Sequence, residues 1–583
     1  MNFVDHPRIL PGKVEERAYQ TNMVDGCLRC NTLVILPTGL GKTVVALRIA
    51  AEYLSYGKVL ILAPTKPLTD QHSGFFSEML AGTSVSVMTG SMKPETRASV
   101  IDSSDVVIST PQCVANDLES GRYSLEGFSL VIYDEAHRGV GNYSYTTVAK
   151  YCSAEMRSVG MTASPGSNYE RIREVCENLN LRRIDIRSDD DPDVAPYVFD
   201  TYVNRIEVNI PPDLAKISSL LKQMLDRYVD ELVSLGLMDR GWPASTKHML
   251  SIGNTLQTRI SRGEKSPVVF KGLSLQAICI KLLHAVNMAE TQGMTALRIY
   301  LDKLVSESKE KEGGKAAKTI VSNELFPKIR RIAKLSNVEH PKISKIMSLV
   351  SIILSDNPES RILVFSQYRD TCDLLVAKLS LIPGANVGKL VGQSNGGLKQ
   401  KEQIEILSRF RSGEYNVVVS TSVGEEGLDV TSTNAVIFYE PVPSEIRTIQ
   451  RRGRTGRKNN GDVYVLIAKG TMDEVFDKSS KRKEDDMRGR LERLSEELSR
   501  SSPYLPRTSQ SSIDRFRGTS RNCFYPFRTI PGYALFRARG NLRQTGIHRQ
   551  PSGDDFHSGR FLPQGEQKGS QDRNLSLPGK TPP

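Results

Sequence analysis

Three short stretches of the chain hold residue types suited to phosphate chemistry. In "PTGLGKT", residues 37–43, two glycines, a lysine and a threonine lie between an apolar run and a segment with helical spacing. Glycines there let backbone N–H groups turn toward phosphate oxygens, a lysine neutralises β- and γ-phosphates, and a threonine hydroxyl can ligate Mg²⁺. Thr38, Gly39, Leu40, Gly41, Lys42 and Thr43 therefore form a candidate cradle for ATP, although Leu36 stands where the general pattern has its first glycine. "VIYDEAH", residues 131–137, ends an apolar strand with adjacent carboxylates. Asp134 suits Mg²⁺ and Glu135 the activation of water, in the crevice where α/β folds bind ligands. "QRRGRTGR", residues 450–457, adds four arginines around two glycines. Arg454 and Arg457, three apart, can point the same way and stabilise the charge that spreads over a transferring γ-phosphate. With Lys42, Asp134 and Glu135 they make the candidate catalytic set. Gln20, upstream, can pair with adenine through its amide.

These residues need elements to position them. Between 31 and 165, short β-branched runs such as "NTLVILPTG", "KVLILAPT", "DVVISTPQ" and "LVIYDEAH" alternate with helix-sized segments. Buried parallel strands in an α/β layer fold have this pattern. It returns from 361 to 470 with "RILVFSQ", "NVVVSTSVG", "NAVIFYEPV" and "GDVYVLIAKG". Between about 200 and 345 the strand signal disappears. There Leu214, Ile217, Leu221, Met224, Tyr228, Leu232 and Leu235 recur every three or four residues, and "SLQAICIKLLHAVNMAETQGMTALRIYLDKLV" reads as one long interior helical segment. The expected class is α/β: two RecA-like parallel-sheet lobes, 1–200 and 346–500, with an all-helical insert, 201–345, between them. Because the arginines lie more than 400 residues after Lys42, the lobes must face each other.

The 583 residues carry a formal charge of +12, but residues 501–583 hold 13 Lys and Arg against 5 Asp and Glu. The remaining 500 hold 65 against 61, so the body must bind a polyanion through local patches. Residues 501–583, rich in Arg, Ser, Pro and Gly, are expected to be a disordered basic tail or the product of a displaced reading frame. Within them Gln510 to Phe516, "QSSIDRF", faintly resembles a sliding-clamp-binding peptide. No stretch is apolar enough for a membrane span and the start lacks a secretory pattern, so the expected location is cytoplasmic and nucleoid-associated. The close pair Cys27 and Cys30 has no companion ligands nearby for a zinc site.

In order and spacing, "Q…PTGLGKT…APTKPLTDQ…TPQ…DEAH…TAS…FSQYRD…STSVGEEGLDV…QRRGRTGR" resembles a superfamily 2 helicase over residues 15–470. With the helical insert it is most similar to the archaeal Hef and Fanconi anaemia helicase type; Dicer-type and RNA-sensor helicases share much of the pattern. The resemblance implies that His137, Thr162, Ser164 and Gln450 couple hydrolysis to strand movement and that Asp429 contacts the ribose. It implies that Pro64, Thr65, Lys66, Thr110, Pro111, Gln112, Ser366, Gln367 and Thr421 line the path of a nucleic-acid strand. The implied partner is forked or branched DNA, with RNA as the alternative, and the helical insert, 201–345, is expected to grip the duplex or junction. Hef continues into a nuclease with an "ERK…D" signature, which does not occur here, so neither nuclease activity nor its dimerisation is expected.

Overall fold

The computed structural model describes residues 2–189, 191–198, 201–310, 314–392, 397–422, 433–444 and 461–501. The first lobe alternates strands β1 (Thr32–Ile35), β2 (Lys58–Leu62), β3 (Val85–Met88), β4 (Val106–Ser109), β5 (Phe128–Asp134), β6 (Arg157–Thr162) and β7 (Arg183–Ile186) with helices. Those helices are α1 (Ala18–Arg29), α2 (Lys42–Tyr53), α3 (Lys66–Met79), α4 (Pro94–Ser103), α5 (Pro111–Glu119), α6 (Ser144–Tyr151) and α7 (Tyr169–Asn178). The sheet order is β3-β4-β2-β5-β6-β1-β7, and every pairing is parallel. β1 and β4 are buried at every position because helices cover both faces, which is why they read as unbroken apolar runs.

A six-stranded parallel sheet, β10-β11-β9-β12-β13-β8, forms the second lobe. Its strands are β8 (Thr201–Val208), β9 (Ile362–Phe365), β10 (Val387–Leu390), β11 (Val417–Ser420), β12 (Ala435–Phe438) and β13 (Gly461–Ala468). Between β8 and β9 the chain forms a helical bundle from α8 (Pro212–Ser234), α9 (Thr246–Ser261), α10 (Pro267–Asn287), α11 (Met294–Glu307), α12 (Lys315–Val321) and α13 (Phe326–Leu335). These helices share one apolar core that includes Leu214, Ile217, Leu221, Met224 and Leu232 of α8, as its spacing predicts; Tyr228 and Leu235 are partly buried at its margin. Pro267–Gln292 is long and apolar enough to cross a membrane, but its Val269, Leu275, Ile278, Cys279 and Leu282 pack in that core. The second lobe continues with α14 (Pro341–Asp356), α15 (Arg369–Leu379), α16 (Gln400–Ser412) and α17 (Met472–Ser501).

The fold departs from the sequence reading at three places. Residues 201–208, expected in the insert, are an outer strand of the second sheet, paired in register from Thr201↔Gly461 to Val208↔Ala468. Helix α14, which straddles the expected boundary at 345, packs in the core of the second lobe. As an edge strand β8 has one strand neighbour and keeps polar residues such as Asn204, Arg205 and Glu207 exposed, so it lacks the apolar signature of its neighbours. The long helical segment expected in the insert is also broken. After α10 the backbone widens into a π-turn, Met288–Gln292, and Gly293 takes φ +106° before α11 begins. A Cβ on Gly293 would lie 2.9 Å from His340 Cβ, so the break needs glycine for both its dihedral and its space.

Helix α17 leaves the second lobe and joins the first. Leu491 and Leu494 lie in the first lobe's core, Arg490 Nη1 donates to Ser167 O at 2.7 Å and Ser495 Oγ donates to Ile184 O at 3.2 Å. Fully burying each leucine contributes roughly 1.5–3 kcal/mol.

Candidate nucleotide site and strand path

Sheet order explains why motifs distant in sequence meet. Strands β1, β6 and β5 are neighbours, and their C-terminal ends release the 37–43 loop, Thr162 to Ser164 and the Asp134–Glu135 pair respectively. Ile35 is registered with Thr162, Asp134 is registered with Met161, and Leu36 N donates to Thr162 O at 3.1 Å.

In the glycine loop, Gly39 and Gly41 adopt φ +92° and +81°, which turns the backbone into a concave cradle before α2. A Cβ at Gly41 would come within 2.5 Å of Gln20 Nε2. That amide nitrogen donates to Leu40 O at 3.1 Å, and Tyr19 Oη donates to the same carbonyl at 2.8 Å, so α1 holds the loop from behind. Lys42 Nζ donates to Leu36 O at 3.0 Å, folded over its own loop, and Thr43 follows in the first turn of α2. The buried oxygens Gln20 Oε1 and Thr38 Oγ1 have no hydrogen-bond partner among the described residues. Buried polar atoms are usually satisfied, so two orphans beside a glycine cradle fit a polar ligand such as a nucleotide.

At the acid pair, Asp134 Oδ2 accepts from His72 Nε2 at 2.9 Å and Oδ1 accepts from Glu135 N at 3.0 Å. Burial works to raise this carboxyl, but the hydrogen bond and charge of His72, the charge of Lys42 and the Glu135 N–H outweigh it and hold it below the ordinary range. An ionised Asp134 within electrostatic reach of Lys42 fits a hard divalent cation. Glu135 has φ +48°, a left-handed conformation rare for a residue with a side chain. Its Oε2 is buried with no hydrogen bond among the described residues, 3.3 Å from His137 Nδ1. His137 Nδ1 also lies 3.1 Å from Thr162 Oγ1, which donates to Ser164 O at 3.0 Å and accepts from Ser164 N at 3.2 Å. Ser164 Oγ then reaches Met487 Sδ of α17 at 3.2 Å. One polar chain thus links the acid at the end of β5 to a helix that begins in the second lobe.

The expected strand-path residues follow two other adjacent pairs of strands, β2 with β4 and β9 with β11. Thr65 and Thr110 are N-caps of α3 and α5, and Pro64, Pro111, exposed Lys66 and exposed Gln112 flank them. Helix N-termini present free backbone N–H groups suited to phosphate oxygens, and Thr65 Oγ1 is buried without a partner among the described residues. Ser366 is wholly buried with its hydroxyl 3.4 Å from Glu440 Oε2, the Gln367 N–H donates to Glu440, and Thr421 is 8% exposed. Ser366 and Thr421 are thus packed within the second lobe.

Glu440 belongs to a polar junction between the lobe and the insert. Gln292 Nε2 donates to it at 3.4 Å, Thr371 Oγ1 donates to Gln292 Oε1 at 2.8 Å, and Tyr439 Oη donates to Gln292 O at 2.9 Å. Beside it, Lys342 forms a buried ion pair with Asp473, donates to Thr291 O at 3.2 Å and lies 5.0 Å from the centre of the Tyr439 ring. Burial pushes the Asp473 carboxyl up, and the ammonium of Lys342 and the Ala468 N–H pull against it. Asp429, Gln450, Arg454 and Arg457, and the segment Gln510 to Phe516, lie outside the described residues. His72, Met487, Gln292 and Glu440 were not singled out from sequence; His72 alone had a local signal, since it directly follows the "APTKPLTDQ" stretch.

The family described as "Type III restriction enzyme, res subunit" matches residues 13–167, "Putative ATP-dependent RNA helicase, helical bundle" matches 213–340, and "Helicase conserved C-terminal domain" matches 342–459. The crystal structure of the Pyrococcus furiosus Hef helicase domain superposes with a TM-score of 0.60 at 40% identity, covering 80% of this chain and 98% of that one. The chain belongs to the Hef-type helicases of superfamily 2. A putative ATP-dependent RNA helicase of Methanocaldococcus jannaschii is 38% identical over 84% of this chain and 63% of its own length. The ATP-dependent DNA helicase mph1 of Sclerotinia sclerotiorum is 31% identical over 80% of this chain and 40% of its own length. This Hef-type chain therefore spans under two thirds of each of these two relatives. Its two parallel sheets and intervening helical bundle are the Hef helicase fold.

Proposed function

We propose that the chain is an ATP-dependent DNA helicase or translocase that acts inside the cell on forked or branched DNA. The observation that carries this reading is the meeting of a glycine cradle, an ionised Asp134 and a constrained Glu135 at the ends of three neighbouring strands. In it, Gln20, Thr38 and the loop from Gly39 to Thr43 bind ATP, and Lys42 neutralises the terminal phosphates. Thr43 and Asp134 hold Mg²⁺, which when bound supplies charge neutralisation to the phosphoryl group. Glu135 takes the proton of the attacking water, and His137 with Thr162 keeps its carboxylate aimed. Arg454 and Arg457 stabilise the charge on the transferring phosphoryl group from the second lobe, and Asp429 contacts the ribose. Hydrolysis and release open the cleft, and the N-termini of α3 and α5 track the strand backbone.

The named relative in Sclerotinia acts on DNA, whereas the one in Methanocaldococcus is named for RNA. RNA-stimulated hydrolysis is therefore the second reading. ATPase rates measured side by side with forked DNA, single-stranded DNA and double-stranded RNA separate the two. Glu135→Gln should keep ATP binding while turnover falls by at least about a hundredfold. Retained DNA-stimulated hydrolysis in that variant would remove Glu135 from the mechanism. A sliding clamp contacted through Gln510 to Phe516 is tested by deleting that segment and measuring clamp binding.

A further inference from the structure

The helical insert carries charge that the two lobes do not. Residues 212–335 hold 20 Lys and Arg against 12 Asp and Glu, whereas residues 1–500 as a whole hold 65 against 61. Outside the insert residues 1–500 are therefore net acidic, and the bundle carries their excess of positive charge.

On this basic bundle sits the only tryptophan of the chain. Trp242 lies in the loop between α8 and α9 and is 46% exposed. Local bonds hold it in place. Its backbone N–H donates to Asp239 O at 3.1 Å, closing a turn, and its indole stacks on the imidazole of His248 with centroids 5.1 Å apart and planes 30° from parallel. That imidazole is itself fixed, with Nδ1 2.8 Å from Pro243 O, while the His248 N–H is capped by Ser245 Oγ at the start of α9. An aromatic surface fixed before binding loses little conformational freedom when a ligand stacks on it. Arg240 and Lys247, both exposed, flank it in sequence.

We propose that Trp242, backed by His248 and flanked by Arg240 and Lys247, is a stacking site for an unpaired nucleobase of DNA held by the insert. The inference rests on the reading that this chain binds DNA, and it assigns the insert a task the phosphate contacts cannot perform. Phosphate contacts do not require a base to be unpaired, whereas an indole face can be covered only where a base is free of its neighbour. Junctions and single-stranded arms offer such bases, and continuous duplex does not.

Since Trp242 is the only indole, its fluorescence reports on this site without background from another tryptophan. The full chain is titrated with a fork bearing single-stranded arms and, separately, with covalently closed circular duplex, and the anisotropy of the labelled DNA reads occupancy independently. The expected result is quenching at saturation with the fork and little change with the closed duplex. Trp242→Ala should bind the fork about tenfold more weakly, with Trp242→Phe recovering most of the loss. Replacing Arg240 and Lys247 by Ala should weaken fork and closed duplex alike and flatten the salt dependence. Unchanged emission at saturating fork, or wild-type fork affinity in Trp242→Ala, would overturn the site while leaving the DNA reading in place. Failure of the wild-type chain to bind either DNA by anisotropy would overturn both.

Discussion

The hydroxyl of Ser164 and the thioether of Met487 meet at 3.2 Å across 323 residues of sequence. Ser164 closes the polar chain that starts at Glu135, and Met487 rides on the helix that the second lobe sends into the first. Any shift of that helix is therefore felt at the loop whose Thr162 contacts His137, the imidazole beside Glu135. Removing two of the tethers, Met487→Ala with Arg490→Ala, should lower DNA-stimulated ATP turnover severalfold while leaving affinity for a non-hydrolysable ATP analogue near normal. Steady-state rates beside analogue binding make the comparison. An unaltered stimulated rate would reduce α17 to a fastening.

His72 holds one oxygen of Asp134 while the Glu135 N–H holds the other. Groups that orient a metal-binding carboxylate typically matter ten- to a hundredfold, so His72→Ala should raise the Mg²⁺ concentration needed for half-maximal ATP binding by about tenfold. His72→Asn, which keeps a donor, should restore part of it. Fluorescent-nucleotide binding across a Mg²⁺ series gives the answer, and superimposable curves would dismiss the assignment.

The buried pair of Lys342 and Asp473 ties α14 to the start of α17. Lys342→Met leaves a buried carboxylate without its counter-ion, which should cost about 3–5 kcal/mol of stability. Adding Asp473→Asn should recover part of that loss. Denaturant unfolding of the three proteins reads both steps, and a single variant as stable as the parent would contradict the ion-pair account.

His340 is 1% exposed, accepts from Lys342 N at 3.2 Å through Nδ1 and donates to Glu290 O at 3.1 Å through Nε2. Burial first, then the charge of Lys342, lowers its pKa to about 3 from an ordinary 6.5. Below pH 6.5 the unfolded chain takes up a proton that the folded one refuses until about pH 3. The contribution of His340 is thus fully present above the ordinary pKa and falls with pH by up to about 1.4 kcal/mol per unit. His340→Asn should be less stable at neutral pH yet lose less on moving to pH 5. Urea midpoints at the two pH values test this, and equal losses would mean that His340 does not drive the acid sensitivity.

How much of this was legible in sequence depended on where each element sits. Strands such as β1, β4, β9 and β11 are buried on both faces, so their unbroken apolar runs marked both lobes and the loops that follow them. β8 escaped because an edge strand keeps alternating polar residues. The break at Gly293 escaped because α10 and α11 are both apolar, and the constraint comes from His340, which is distant in sequence. Asp134 and Glu135 were plain as a pair, but His72 pairs with Asp134 across 62 residues and no spacing rule connects them. The docking face of α17 is two leucines and a methionine within a run of charge, too sparse to read as a core stripe.

The pairing of β8 with β13 has a consequence for how the protein is made. Thr201 must wait for Gly461, so the outer strand of the second sheet leaves the ribosome long before its partner exists, and the whole bundle is synthesised in the interval. The bundle is thus a loop drawn out of a single sheet, attached by both ends to the same half. Dividing the gene just before codon 201 keeps that sheet whole, whereas dividing it just after codon 208 strips off its border and leaves β13 with a raw edge.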